Sequence, residues 1–225
     1  MVPLILSSLT LSVEGQNSVN LFAPGSKPYG LSYEEHIKNF WKWVLSIPED
    51  KNPWTDKTGE NCLYGQIGTN SSVFYLGSNP GGKSERTCKL PAGKGLFIPV
   101  SPMEINYKES PDSKNLNDLN VVAKKDQDDV GLLYLQIGDK VYSRQALDKY
   151  RNHTGDFDVV FPKNPIFGVT DGPTKAVADG YYVITEPLRI GNYTILYKST
   201  LKCTELDCAS PIRFAQDVKY TLIVK

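Results

Sequence analysis

The sequence predicts a mainly β protein: a jelly-roll or immunoglobulin-like β-sandwich with one N-terminal amphipathic helix. Three observations predict it. Short alternating apolar runs recur between Gly/Pro turns from Leu63 to the C-terminus, the pattern of a sandwich. Thirteen tyrosines and eight phenylalanines stand against two methionines, which suits strands better than a helical bundle. Only one early stretch repeats its apolar residues at strong helical spacing. At 225 residues the chain can bury a sizeable core, read as a single domain over 16–225.

Pro3 to Val13 is apolar but shorter than a bilayer span. With residues 1–15 it reads as a signal-peptide remnant lacking a positive n-region, or else as an N-terminal strand. Ser32-Tyr33-Glu34-Glu35 is a capping box, and the two glutamates also suit the positive end of the helix dipole. Ile37, Phe40, Trp41, Val44 and Leu45 then form one apolar face. Pro48 forces the preceding residue out of the helical region, so the spacing predicts a helix over 33–47. Trp43 falls off the stripe. It either packs under a neighbouring loop or presents an exposed ring to a partner. His36 could line the same side, as a satisfied residue more simply than as a catalytic one.

Strands are predicted at Leu63–Ile67, Val73–Leu76, Glu85–Leu90 and Leu96–Val100, punctuated by Asn79-Pro80-Gly81-Gly82 and Pro91–Gly95. Met103–Asn120 reads as a long polar surface loop, and Asn117–Asp129 as a weak helix. Gly131–Tyr142 is a hairpin turning at Gly138-Asp139. Phe157–Phe161, Ala176–Thr185, Tyr193–Thr200 and Asp217–Lys225 complete the strands. In the last two, Tyr193, Ile195 and Tyr197 share one face, as do Val218, Tyr220, Leu222 and Val224.

Four cysteines, Cys62, Cys88, Cys203 and Cys208, allow three pairings, of which the sequence-local one is simplest. A zinc site is the rival, yet no CxxC is present and no histidine lies near either pair. Disulfides imply an oxidising compartment. Asn70, Asn152 and Asn192 head sequons, a number near chance that is compatible with a glycoprotein without requiring one. The 25 basic and 25 acidic side chains cancel. No basic run marks a nucleic-acid or anionic-membrane footprint.

No Walker A, dinucleotide-binding glycine pattern, HExxH or GxSxG is present, so neither a cofactor nor a local hydrolase triad is expected. Asp126-Gln127-Asp128-Asp129-Val130-Gly131 opens like an EF-hand, but Val130 and Ile137 fall where ligand oxygens are needed. Glu104, which follows the apolar strand Leu96–Val100 and begins the long loop, is the carboxylate of most interest, although a solvated loop-entry residue explains it as simply. Paired with Asp56 or Glu60 it would suit glycoside hydrolysis. Arg86 and Lys94 are candidates for an anion, although surface salt bridges or turn solvation explain them as simply. Trp43, Trp54 and Tyr107 are candidates for a carbohydrate surface, because flat rings give large contact at low entropic cost.

FWKWVLSIP, NPWTDKTGENC and GGKSERTCKLPAGKGLFIPV, followed later by VADGYYVITEPLRIGNYTILYKS, resemble a group of uncharacterised secreted prokaryotic proteins. The resemblance implies export and a disulfide-containing β-rich domain, and it assigns no catalytic residue. Some of that group have a further cysteine just after the residue matching Glu104, where this chain has Ile105. The expected function is non-catalytic binding of carbohydrate or another cell-surface component, with secretion or surface display. The alternatives are a carboxylate-based glycan hydrolase and a structural subunit assembling by strand pairing.

Overall fold

Ser32 starts the chain's main helix as the capping box requires. In the computed structural model, which describes residues 19–66, 71–204 and 208–225, its Oγ accepts from Glu35 N at 3.2 Å. Its own N–H donates to Glu35 Oε2 at 2.7 Å. Helix α1 runs Tyr33–Leu45, two residues shorter than expected. The reason lies at Pro48, which has no N–H to continue the ladder; Asn52 Nδ2 supplies the missing donor, to Val44 O and Ile47 O at 2.8 and 2.9 Å. The whole expected stripe is buried.

Among the described residues, ten strands form two five-stranded mixed sheets packed together. The first contains β1 (Val73–Tyr75), β3 (Gly95–Asn106) and β8 (Gly172–Ile184), with β6 (Arg151–His153) and β7 (Phe157–Phe161) both pairing with β8. The second runs β2 (Gly82–Leu90), β10 (Ile212–Val224), β9 (Gly191–Lys202), β4 (Val130–Ile137) and β5 (Lys140–Ser143). β1 with β3 and β2 with β10 are parallel, and the other pairs are antiparallel. The alternation expected in β9 and β10 is observed: Tyr193, Ile195, Tyr197, Val218, Tyr220, Leu222 and Val224 are all buried.

α1 joins the first sheet through rings. Phe40 stacks on Phe97 at 5.0 Å, and Trp41 Nε1 donates to Tyr182 Oη at 3.0 Å. A second helix, α2 (Leu116–Asp128), is capped by the Asn115 side chain. It lays Leu119 and Ala123 on Ile105 and Val177. A four-residue helix, α3 (Arg144–Leu147), follows β5. Among the described residues no helix is long and apolar enough to cross a membrane.

Two expectations are corrected. Leu63–Ile67 is not a strand over its described part: Asn61–Gly65 are turns, Leu63 and Tyr64 are exposed, and Ile67 lies outside the described residues. The long loop from Met103 is also shorter than expected. Met103–Asn106 continue β3 against Ala176–Asp179, where the ladder satisfies their backbone, and α2 takes up the far end. The expected signal remnant or N-terminal strand at 1–15 lies outside the described residues.

Both disulfides are sequence-local. Cys62 joins Cys88 with Cα atoms 6.2 Å apart, and Cys203 joins Cys208 at 5.9 Å.

Candidate functional site

The end of β3 provides the polar half of the site. In the β3–β8 register Pro102 faces Gly180, Glu104 faces Ala178 and Asn106 faces Ala176. Directly opposed residues share a face of the sheet, so the bulky polar side of β3 meets the small side of β8. Gly180 is required here, since an added Cβ would lie 2.6 Å from Ser101 O. A cavity of about 450 Å³ opens at this point. Glu104 and Glu109 line it together with Trp41, Trp54, Phe167 and Phe214, and with Arg213 and Asp126.

Glu104 is buried, and its Oε1 accepts from Asn106 Nδ2 at 3.0 Å. The same amide nitrogen also donates to Glu109 Oε2. Asn106 Oδ1 accepts from the N–H groups of Lys108 and Glu109, which holds the amide in this orientation. Burial first, and then the neighbouring Glu109 carboxyl, holds Glu104 well above the usual carboxylate range. Burial likewise pushes Glu109 up to about 7. Two carboxyls this close cannot both ionise cheaply, so they titrate as a pair. Glu104 Oε2 has no hydrogen-bond partner among the described residues, and neither has Trp54 Nε1.

The aromatic half is carried by loops. Trp54 is fixed through its backbone, its N–H on Asn52 Oδ1 at 2.9 Å and its carbonyl on Arg86 Nη2 at 3.1 Å. Its ring lies 5.4 Å from Trp41. Phe167 meets the Trp54 ring edge-on at 5.6 Å and 89°. Phe167 has φ 68°, and Asn164 three residues earlier has φ 53°. A left-handed bulky residue is strained. Here the strain holds a 40% exposed ring at the pocket.

The structure places the other sequence candidates elsewhere. Trp43 is not an exposed platform: it is 3% exposed, stacks on Tyr75 at 5.6 Å and donates to Tyr64 O at 3.0 Å. The turns after Gly59 close over it, which is why an off-stripe residue is still core. Trp54 is also buried, at 6%, and contributes only part of a pocket wall. Tyr107 packs with the α2 cluster and does not line the pocket.

Arg86 offers nothing to an external anion, because all five of its donor directions are used internally. Asp56 closes its own loop, accepting from the N–H groups of Thr58, Gly59 and Asn61. Neither it nor exposed Glu60 lines the Glu104 pocket. His36 is buried with Nε2 2.8 Å from Pro28 O, and Lys94 Nζ donates to Ser71 O.

Of the sequon asparagines, Asn192 is exposed at the start of β9. Asn152 is half-buried with its amide on Tyr150 O. Asn70 lies outside the described residues. The acidic run at 126–129 belongs to α2 and its cap. Asp126 and Asp129 face Arg213, and Asp128 faces Lys124 and Arg151.

Sequence reasoning missed Glu109, Phe167 and Phe214. The Glu-x-Asn-x-x-Glu spacing of Glu104, Asn106 and Glu109 carried a readable hint. Nothing local marked the two rings.

The chain matches no family model and no curated protein. Among solved structures it aligns with the cysteine protease inhibitor EhICP2 from Entamoeba histolytica. The match has 12% identity, covers 64% of this chain and 88% of that chain, and has a TM-score of 0.21. A likeness of that size supports no statement about function.

The carboxyl pair predicts a pH dependence. Both folded-state pKa values lie above the unfolded one near 4.5. The folded state therefore retains protons that the unfolded state has released, and the pair's contribution is complete below about pH 4.5. It is lost as pH rises through 7, to the extent of about 3 kcal/mol from Glu109. Glu34, Asp56 and Asp128 have lowered values, so their opposite contribution falls below this window. Urea midpoints between pH 5 and 8 should decline in the wild type and decline less steeply in Glu109→Gln, where buried Glu104 still titrates. Identical slopes in the two proteins would show that the pair does not titrate this way.

Proposed function

We propose that this chain is an exported, non-catalytic binding module that holds a saccharide ring of a cell-surface component in the Trp54–Phe167–Glu104 pocket. One observation supports this most: the same cavity joins aromatic walls to a buried carboxyl end, and it contains two buried polar atoms without partners. A pyranose presents an apolar face and a polar rim, which matches that division. Unpaired buried donors and acceptors cost free energy until something pairs with them.

Export fits the two disulfides, as does the sequence resemblance to the secreted prokaryotic group. In this reading the scaffold is a single jelly-roll or immunoglobulin-like domain over 16–225, with the parallel β1 and β2 pairings added. The hydrolase alternative is less well supported. Glycosidic catalysis places its carboxyls at least about 5 Å apart on either side of a bond, whereas Glu104 and Glu109 lie side by side, both accepting from the one Asn106 Nδ2.

A glycan-array screen of the oxidised protein, followed by tryptophan-fluorescence titration of the hits, tests the reading. Trp41 and Trp54 line the pocket, so binding should change the emission. Phe167→Ala should weaken binding about tenfold, the ~1.4 kcal/mol of one ring contact. Absence of binding to every glycan would overturn the proposal.

A further inference from the structure

The carboxyl end of the pocket has no cation of its own. Among the described residues neither Glu104 nor Glu109 forms an ion pair. The nearby cations are committed elsewhere. Arg213, from β10, faces Asp126 and Asp129 and donates to Lys202 O. Lys108, two residues along from Asn106, turns its Nζ to Thr170 O and Asp171 O. The pair is held from one side by the Asn106 amide, while Glu104 Oε2 is left without a donor. A buried acceptor pair of this kind is completed by a donor that also carries positive charge. The walls beside it are the Trp54 and Phe167 rings, which favour a cation over a neutral or anionic group.

We propose that this end of the pocket is an ammonium subsite, and that the saccharide it takes is an amino sugar with a free amine. The inference rests on the saccharide reading above. On binding, the ligand ammonium takes the place of one of the two protons that the carboxyl pair holds. It donates to Glu104 Oε2 and Glu109 while the proton leaves to solvent, so charge and hydrogen both balance. The facing charged groups, Arg213 and Asp126, already neutralise one another and do not compete for the amine. A cavity of about 450 Å³ falls within the usual range for a small-molecule site.

Calorimetric titration with chitosan oligosaccharides, the same oligomers fully N-acetylated, glucose oligomers of equal length and spermidine provides the test. The free-amine oligomer should bind at least tenfold more tightly than either neutral oligomer. Its binding below pH 7 should release protons, seen as a buffer-dependent heat in two buffers of different ionisation enthalpy. Glu109→Gln should abolish the preference. This variant replaces a group already protonated for much of the range, and its folding is checked by its urea midpoint. The buffer comparison on the wild type needs no variant at all.

Equal binding of acetylated and free-amine oligomers would overturn the ammonium subsite and leave the saccharide reading standing. Binding of spermidine as tight as that of the amino sugar would overturn the amino-sugar assignment. Failure of every oligosaccharide to bind would overturn both readings.

Discussion

Replacing Arg86 with methionine should remove about 3–5 kcal/mol of folding stability, the cost of breaking a fully buried polar network. The guanidinium is 2% exposed. Its Nε donates to Asp56 O at 2.6 Å, and Nη1 donates to Gly77 O at 2.5 Å and Tyr220 Oη at 2.7 Å. Nη2 donates to Trp54 O and Ser78 O at 3.1 and 2.9 Å. One side chain thus ties the 54–56 loop, the 77–78 segment and β10 together without a carboxylate partner among these contacts. Methionine fills similar space but leaves the carbonyls of Trp54, Asp56 and Ser78 without this donor, each costing about 1–3 kcal/mol if no water reaches it. Lysine retains the charge but cannot reproduce the planar five-donor fork, so Arg86→Lys should lie between methionine and wild type. Equilibrium urea unfolding measures this. A loss below about 1 kcal/mol for the methionine variant would show that the network is not structural. Because Trp54 O is one of the acceptors, the same substitution should also loosen the pocket wall.

The second large effect concerns the disulfides. Cys62 and Cys88 are 26 residues apart and buried, whereas Cys203 and Cys208 are five apart. In the chain-entropy model their removal costs about 3.5 and about 2 kcal/mol respectively. Cys62→Ala with Cys88→Ala should therefore be the more destabilising double variant, and the cavities left by two buried sulfurs add to the difference. Denaturant midpoints at matched m-values decide the order. The reverse order would contradict a loop-closure origin.

Much of the fold was legible because its signals are local. The capping box and stripe of α1, the hairpin at Gly138-Asp139 and the alternation in β9 and β10 each sit within a dozen residues of chain. The sequence-local cysteine pairing was likewise the simplest one. The parallel partners of β1 and β2, and the register shift between Pro99 and Ser101, depend on distant segments and leave no local pattern.

Arg86 is more instructive. Ser84, Arg86, Cys88 and Leu90 share parity in β2, and all four are buried. The cysteine and leucine thus already said that this arginine points inward. Trp43 misled in the opposite way: periodicity identified it as off the stripe but could not show that the turns after Gly59 close over it. The site was half legible. Glu104 stood out as a carboxylate just after an apolar strand, at what read as the start of a loop. Phe167 and Phe214 reach the same cavity from the loop before β8 and from β10, which only the tertiary fold brings together.

The central claim, that ligand enters the Trp54–Phe167–Glu104 cavity, is tested most directly by calorimetry with the strongest-binding saccharide. Wild type, Phe167→Ala and Trp43→Phe should be compared. Phe167→Ala should bind about tenfold more weakly, and Trp43→Phe should bind as the wild type does, because Trp43 is stacked on Tyr75 and does not line the cavity. Unchanged binding in Phe167→Ala together with loss in Trp43→Phe would place the ligand elsewhere and contradict the assignment.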